Sequence, residues 1–316
     1  MHNLCLIIPT KDRPFELERL FNSIKTQSIR PVQIIVVDGG EPGVRCLVNN
    51  FPELSIDYLQ VLPPGLTRQR NAGLRVVRDE IDLVGFLDDD IVLEPDCLKN
   101  MLIFWKSAEN KIGGAGFNII DAIPAQKPRW AEYLMRRYFR NKKPGSLLRN
   151  GRNIPYCPAS TTSETEWLCG GATIWRKKVF KEFEYDEWFA TYGIVEDIDF
   201  SYRVSRQYSL AIVADAQVKH IELPKKNQFL WAYVITMNNM YFSSKHRAFS
   251  QLSCAKSFFI EGLKCIAYGI LLRDKNYIQR GIGHLWAVCR RFSCGLHRVE
   301  RQVKSNLYSI SPSSIT

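Results

Sequence analysis

The sequence lacks both glycine-rich signatures by which common nucleotide-binding folds hold phosphate. No GxxxxGKS/T segment occurs, and no GxGxxG follows the first predicted strand, residues 4–9. Both motifs bind phosphate through backbone N–H groups at the start of a helix, so neither a P-loop nor a dinucleotide-binding fold is supported. Any phosphate chemistry in this chain therefore has to use another source of positive charge.

Patterns for structural metals, secretion and membrane spanning are missing as well. The nine cysteines are scattered without a CxxC pair, which predicts reduced thiols. The first residues show no basic segment followed by a long apolar run, so we expect no signal peptide. The apolar stretch 257–272 is interrupted by Glu261 and Lys264, and falls short of the roughly 20 apolar residues that a spanning helix needs. We therefore expect a globular, cytoplasmic protein.

The net charge of +11 is distributed unevenly along the chain. Residues 221–316 contain 14 Lys and Arg against four Asp and Glu, whereas the preceding part is almost balanced. A second basic segment, residues 127–152, has nine Lys and Arg and a single acid, Glu132. Concentrated positive charge favours anionic partners such as phosphates or an anionic membrane surface. No RNA- or DNA-binding motif accompanies it, so we do not expect a nucleic-acid partner.

The most informative feature is an apolar run, residues 84–87, that ends in Asp88, Asp89 and Asp90. Such a run predicts a buried strand. Three adjacent carboxylates repel one another, and a hard divalent cation such as Mg²⁺ would offset that cost. Ligands bind at the C-terminal ends of strands in open α/β sheets, so we interpret this stretch as a candidate site. A solvated acidic turn is the alternative.

Strands alternating with helices predict an α/β fold with a mostly parallel central sheet flanked by helices. We expect the Gly170–Gly171 pair to interrupt a strand over 167–175, and the last strand to be short, residues 210–214. The remainder has helical periodicity, apolar on one side and basic on the other, over residues 229–243, 255–272 and 277–292. The predicted organisation is a catalytic domain, 1–222, with a basic flap at 127–152, and a basic amphipathic helical region, 223–316.

Six short motifs occur in an order that resembles the family 2 glycosyltransferases, inverting enzymes with the GT-A fold. They span roughly residues 3 to 220 and comprise Ile8–Arg13, Val36–Gly40, Arg70–Gly73, Phe86–Asp90, Gly170–Ala172 and Glu196–Asp199. Each motif is weak alone, but their order along the chain is specific. The sequence departs from many relatives at Asp38–Gly40, where a second acid and a serine are common.

The resemblance implies a donor site at the ends of the first strands. Thr10 and Asp38 would lie around the nucleobase and ribose, and Arg70 would face the base or the phosphates. Asp88 would point toward the ribose, and Gly171 would lie in the loop that determines donor specificity. Three acids in a row allow two registers of the Asp-x-Asp motif, so Asp89 is a second donor-binding candidate.

The resemblance also implies the metal and the catalytic base. Asp90 would bind a divalent cation, Mn²⁺ or Mg²⁺, with His220 as an additional ligand; an ordinary histidine is the alternative for His220. Asp197 would be the catalytic base, with Glu196 the weaker candidate. Both acids are expected near a helix N-terminus, whose positive partial charge stabilises carboxylates.

Together these features predict an inverting glycosyltransferase, with a nucleotide-sugar donor and a glycan or lipid-linked acceptor, working at the cytoplasmic face of the membrane. A UDP-sugar is the preferred donor, with dTDP- and GDP-sugars as alternatives. A carboxylate can remove the proton of the attacking hydroxyl, and a single displacement inverts the anomeric centre. A sugar nucleotidyltransferase and a non-catalytic basic binding protein are the competing hypotheses.

Overall fold

The computed structural model describes residues 2–122, 143–189, 193–221 and 227–294. The chain divides into two compact units: unit 1 comprises Met1–Leu147, Asn153–Ala190 and Glu196–Glu222, and unit 2 comprises Leu148–Arg152, Thr191–Val195 and Leu223–Thr316. The functional split that we predicted after residue 222 stays a prediction. Most of the predicted flap, 127–152, lies outside the described residues.

Unit 1 is built on one mixed sheet. Its strands are β1 (Leu4–Thr10), β2 (Gln33–Asp38), β3 (Ile56–Gln60), β4 (Leu83–Leu87), β5 (Ile91–Leu93), β6 (Ile112–Ile119), β7 (Ser163–Thr165), β8 (Ala172–Arg176) and β9 (Ser209–His220). Their order is β3-β2-β1-β4-β8-β6-β9-β5, and β7 also pairs with β9. Strands β1 to β4 are mutually parallel, whereas β8 joins this half to β6 through antiparallel pairing on both sides.

Helices of unit 1 connect and cover these strands. They are α1 (Pro14–Lys25), α2 (Arg45–Val48), α3 (Leu66–Leu74), α4 (Cys97–Ser107) and α5 (Glu196–Ser205). Helix α1 begins where the sequence predicts, because Pro14 suits the first helical turn and Leu17, Leu20, Phe21 and Ile24 recur on one buried face. The predicted α/β class, with a central sheet flanked by helices, is confirmed.

Strand β1 lies inside the parallel half and is buried along its whole length. Its side chains alternate between two apolar clusters: Leu4, Leu6 and Ile8 pack into one, and Cys5 and Ile7 pack into the other. Burial on both faces explains why its sequence is a continuous apolar run instead of an alternating one. The polar groups that follow it are therefore held on a rigid strand end.

Two local predictions are wrong, and both differences concern candidate site residues. The glycine pair does not interrupt a strand: β8 begins at Ala172, and Gly170 and Gly171 form the turn that precedes it. The last strand is not confined to 210–214, because β9 continues to His220 by pairing with β6 and then with β5. Pairing with partners remote in sequence extended β9 beyond its apolar segment.

The described part of unit 2 contains three helices: α6 (Gln228–Lys245), α7 (Gln251–Leu272) and α8 (Lys275–Cys294). All three were predicted by helical periodicity, and each begins within a few residues of the predicted start. Side chains cap two of them, since Asn227 accepts from the N–H of Leu230 and Ser250 accepts from the N–H of Ser253. No described helix is both long enough and apolar enough to cross a membrane.

Candidate active site

The C-terminal ends of β1, β2 and β4 bring polar side chains to one edge of the sheet. Thr10 and Asp38 are directly paired residues at the ends of β1 and β2. Asp88, Asp89 and Asp90 follow β4, the strand on the other side of β1. The hydroxyl of Thr10 donates to Oδ2 of Asp89 over 2.8 Å. The sheet therefore brings residues from three separate sequence motifs close together in space.

Asp38 organises its own loop. Its carboxylate is fully buried and accepts hydrogen bonds from the N–H of Gly40 and Val44, at 2.7 and 2.6 Å, and from the hydroxyl of Tyr58 at 2.7 Å. Both oxygens are thus engaged within the protein. In this conformation Asp38 shapes the backbone after β2, and a direct contact with a nucleoside would require one of these bonds to break.

The three consecutive aspartates lie in three different environments. Asp89 is 4% exposed and accepts from Thr10 and from Nη1 of Arg13, the latter at 3.0 Å, whereas Asp88 and Asp90 are partly exposed. Burial raises the pKa of Asp89 to about 7, although the positive charge of Arg13 opposes the shift. Asp89 therefore belongs to the protein interior, and Asp88 and Asp90 border the site.

Asp90 lies between two cationic or potentially cationic groups. Its Oδ2 accepts from Nη1 of Arg13 at 3.1 Å, and its Oδ1 lies 3.3 Å from Nε2 of His220. Burial alone would raise the pKa of Asp90, but the hydrogen bond and charge of His220, together with Arg13, outweigh it and hold that pKa below its ordinary value. The pairing of Ile91 with His220 in the β5–β9 ladder creates this contact across the sheet.

Two of these side chains could hold a divalent cation. Asp90 and His220 supply a carboxylate oxygen and an imidazole nitrogen side by side, and both are donors that Mn²⁺ accepts. Within the described ranges, no group of three or more His, Cys, Asp or Glu side chains forms a metal cage. When the protein supplies only one or two ligands, substrate phosphates and water complete the coordination shell of the ion, as is usual for Mg²⁺ in phosphate-binding enzymes.

Arg70 connects the aspartates with helix α5. Its guanidinium is completely buried, with Nη2 3.0 Å from Oδ1 of Asp88 and Nη1 2.9 Å from Oε1 of Glu196. It also lies over the rings of Phe86 and Tyr185, at 5.7 and 5.2 Å from the centroids. Arg70 therefore bridges two carboxylates that are 108 residues apart, and it does so from beneath the site surface.

Helix α5 begins with Glu196 and Asp197, as the sequence predicts. Glu196 is buried, and burial together with the nearby charge of Asp197 raises its pKa, against the opposing charge of Arg70. Asp197 is partly exposed; its oxygens accept from the N–H of Gly170, at 3.2 Å, and of Ile198, at 2.8 Å. Burial raises the pKa of Asp197 too, while those two hydrogen bonds oppose the rise. Val195, just before the helix, has φ 78°, a strained backbone for a β-branched residue.

The glycine turn before β8 is packed against these acids. A Cβ on Gly171 would lie 2.2 Å from Oδ2 of Asp88, and a Cβ on Gly170 would lie 2.8 Å from Cβ of Asp197. The carbonyl oxygen of Gly171 accepts from the N–H of Asp88 at 2.9 Å. Larger residues at either position would therefore displace Asp88 or Asp197.

Arg13 is a site residue to which no role could be assigned from the sequence, although it ends the first of the six motifs. Its position just after the first strand was the available signal, because strands β1 and β4 are neighbours and bring Arg13 beside the aspartates that follow β4. Arg13 also adds positive charge beside Asp89 and Asp90, where the sequence predicts a divalent cation.

The fold class of this protein can be recognised from three features. These are the order of the strands in the sheet, the aspartates that follow β4, and the helix that carries Asp197. Solved structures with a similar fold include a mannosyltransferase, PcManGT, from Pyrobaculum calidifontis, with GDP-Man and Mn²⁺ (TM-score 0.55, 13% identity, 92% of this chain and 86% of that one). Others are residues 1–349 of TarS from S. aureus (0.52, 14%, 97% and 89%) and GalNAc-T7 with UDP, GalNAc and Mn²⁺ (0.55, 15%, 78% and 51%). The fold is that of the GT-A glycosyltransferases.

Residues 5–182, more than half of the chain, match the family described as glycosyl transferase family 2. The chain belongs to this family, which confirms the resemblance inferred from the six motifs. The matched segment includes the residues from Thr10 to Gly171 discussed above and ends before Glu196, Asp197 and His220. No curated protein sequence matches the chain.

Proposed function

We propose that this glycosyltransferase is a metal-dependent inverting enzyme that transfers a sugar from a nucleotide-sugar donor to an acceptor hydroxyl, with the nucleoside diphosphate as the leaving group. The observation that carries the proposal is the bridge formed by Arg70. This buried guanidinium ties Asp88, at the strand end expected to hold the donor, to Glu196, the neighbour of Asp197. A donor-binding group and a candidate base thus belong to one connected network.

Asp197 acts as the general base in this proposal. It is partly exposed, and it accepts N–H donors on both oxygens, which favours the ionised form that a base requires. Glu196 is buried and paired with Arg70, so it is better suited to positioning than to reaching an acceptor. The hydroxyl attacks the anomeric carbon as it loses its proton to Asp197, and one displacement inverts that carbon.

Asp90 and His220 would hold the divalent ion, Mn²⁺ or Mg²⁺, together with the diphosphate. When bound, the ion supplies positive charge to the departing nucleoside diphosphate. Asp88 would orient the nucleoside, while the buried residues Thr10, Asp38 and Asp89 shape the loops around it from within the protein. Gly171 would let the turn before β8 lie directly against Asp88, because a Cβ at this position would meet Oδ2 of that aspartate.

A UDP-sugar is the donor that we favour, with GDP- and dTDP-sugars as alternatives. Two of the three similar structures named above contain a nucleotide or nucleotide-sugar with Mn²⁺, PcManGT with GDP-Man and GalNAc-T7 with UDP and GalNAc, which supports a nucleotide-sugar donor and a divalent ion. We further propose a glycan or lipid-linked acceptor, used in polysaccharide or cell-surface glycan synthesis at the cytoplasmic side of a membrane.

Calorimetric titration with UDP, GDP, dTDP and CDP, each with and without Mn²⁺, tests the donor site. We expect one nucleotide to bind in the presence of Mn²⁺, and Asp90→Ala to weaken that binding by at least about tenfold, because a carboxylate ligand of the ion is lost. Asp215→Asn, an exposed acid on β9, is the matched control and should leave affinity unchanged. Equal binding by wild type and Asp90→Ala would contradict the proposed metal site.

A further inference from the structure

Exposed apolar side chains are concentrated on helices α7 and α8 of unit 2. Among the described residues, ten of the fifteen exposed large apolar side chains lie on these helices: Leu252, Phe259, Ile260, Leu263, Ile270, Leu271, Leu272, Ile282, Trp286 and Phe292. Single exposed apolar residues are normal on proteins, but a contiguous group marks an interaction surface. The sequence predicts helices that are apolar on one side and basic on the other. In the structure, the exposed side of α7 carries apolar residues as well as lysines.

The two helices pack closely against each other. A Cβ on Gly281 would lie 2.6 Å from the carbonyl oxygen of Gly262, so glycine at both positions lets the backbones approach. On the inner side of the pair, the ring of Phe258 contacts the ring of His284, with centroids 5.5 Å apart. The hydroxyl of Thr236 on α6 lies 2.8 Å from Nδ1 of His284, so this inner side faces α6.

The exposed apolar residues point the other way. Ile282 and Trp286 are each two residues from His284, and Ile260 is two residues from Phe258. Two residues correspond to about 200° around a helix, so these side chains lie opposite the inner contacts. Ile260 is 41% exposed and Trp286 54% exposed. We call the outward side of the pair the outer face; it comprises Phe259, Ile260, Leu263, Ile270 and Leu271 of α7 with Ile282 and Trp286 of α8.

Positive charge accompanies the outer face. Lys256 and Lys264 are exposed among its apolar residues, and residues 251–294 contain seven Lys and Arg against two acids. Both acids are engaged, since Glu261 lies 3.8 Å from Arg152 and Asp274 caps the N–H of Asn276 at 2.8 Å. The outer face is therefore both apolar and electropositive.

We propose that the outer face docks the protein on an anionic lipid bilayer, with α7 and α8 lying in the interface and not crossing it. Helices that present Trp, Phe and Leu together with Lys or Arg bind in this way, through apolar burial and attraction to acidic headgroups. A second copy of this chain is a poorer occupant, because pairing two outer faces would bring like charges together. The inference concerns where the enzyme works and does not depend on the reaction proposed above.

Flotation of the full-length protein with vesicles tests this docking. We compare vesicles of phosphatidylcholine with vesicles that also contain phosphatidylglycerol, at low and high salt. Three proteins are compared in this experiment: wild type, the charge variant Lys256→Glu/Lys264→Glu, and the apolar variant Ile260→Ser/Leu263→Ser/Ile270→Ser. The matched control is Ile103→Ser/Lys106→Glu, which alters an exposed apolar and an exposed basic residue on α4 of unit 1.

Wild type and control should associate with the anionic vesicles, and less so at high salt. The charge variant should lose at least about tenfold in apparent affinity, because each basic residue near an anionic surface contributes severalfold. The apolar variant should lose a similar amount while keeping the circular dichroism of the wild type. The emission of Trp286 should shift to shorter wavelength on binding, and Trp286→Phe should abolish that part of the shift while still associating.

Several results would overturn the proposal. These are no association with anionic vesicles at low salt, equal association with neutral ones, or unchanged association of either variant. Association without a contribution from Trp286 to the emission shift would assign the contact to another surface. A concentration-dependent dimer of wild type that the apolar variant disrupts would assign the outer face to a second copy. Nucleotide binding is measured separately, so failure here leaves the proposed reaction untouched.

Discussion

Arg70 is held in place by two carboxylates on opposite sides of the candidate site. It is fully buried, yet its guanidinium meets Asp88 and Glu196 at hydrogen-bond distance, and the charge of Asp197 acts on it as well. Burial alone would lower the pKa of Arg70, but these carboxylates outweigh it and keep the group charged. One cation among three acids leaves excess negative charge, which is consistent with the raised pKa values of Glu196 and Asp197.

Asp197→Asn should abolish transfer while sparing the donor site. The amide keeps the size of the side chain but cannot accept a proton, so we expect kcat to fall by about 10³-fold, within the usual range for a general base. Nucleotide affinity should stay near that of the wild type, because Asp197 lies on α5 and not at the strand end. Steady-state kinetics and calorimetry on the same preparation measure the two effects.

The control for this substitution is Asp215→Asn, which removes a charge from an exposed position on β9. It should leave both kcat and affinity unchanged. Full activity in Asp197→Asn would show that another group takes the proton, and Glu196→Gln would then be the next variant to assay.

Arg70→Lys should change the pH profile as well as the rate. Lysine keeps the charge but cannot span both carboxylates, so we expect kcat to fall about tenfold. Arg70 lowers the pKa of Asp197, and weakening that influence raises it. Since the base must be ionised, activity is lost as pH falls through this pKa, and the acid limb of kcat should move to higher pH. Arg68→Lys is the control; a lower rate with an unmoved acid limb would reduce Arg70 to a purely structural role.

At the scale of elements, the β4–β8 ladder sets the geometry of the site. Leu87 pairs with Ala172, so the residues just beyond the ladder, Asp88 and Gly171, face each other. In the same way, the β5–β9 ladder pairs Ile91 with His220 and brings that histidine to Asp90. A shift of one residue in either ladder would turn these side chains to the opposite face of the sheet.

Gly171→Ala should weaken nucleotide binding because of this close approach. The added Cβ would lie 2.2 Å from Oδ2 of Asp88, so Asp88 or the turn has to move. We expect nucleotide affinity to fall about tenfold or more, with a fall in melting temperature of a few degrees. Gly116→Ala is a control in the same sheet, where the nearest atom is the flexible Cδ2 of Leu168 at 3.1 Å. Equal affinity of Gly171→Ala and wild type would contradict a donor site at this turn.

At the scale of the whole molecule, the net positive charge affects which partners the protein attracts, and it does not determine the fold. A chain of net charge +11 is expected to attract polyanions at low salt. Because we expect no nucleic-acid partner, any association with single-stranded RNA should be independent of base sequence and should weaken steeply between about 50 and 200 mM salt, since counterion release drives such binding. Fluorescence anisotropy with two unrelated RNA sequences measures this. Sequence-selective binding that survives high salt would favour the alternative of a basic binding protein.

The fold class, the order of the main elements and most of the candidate acids could be predicted from the sequence alone. Apolar runs that end in turns, and helical periodicity after them, are local properties of the chain. Asp88–Asp90 and Glu196–Asp197 could be singled out because each group is contiguous in sequence. The motif order then sufficed to recognise the family.

How those groups meet could not be predicted from the sequence, and it became visible in the three-dimensional structure. His220 lies beside Asp90, Arg13 beside Asp89, and Arg70 between Asp88 and Glu196, and each contact joins residues far apart in the chain. Such distances depend on sheet order and strand register, which non-local hydrogen bonding sets and local periodicity does not encode. The apolar outer face of α7 and α8 has the same origin, because packing around His284 decides which side of each helix faces outward.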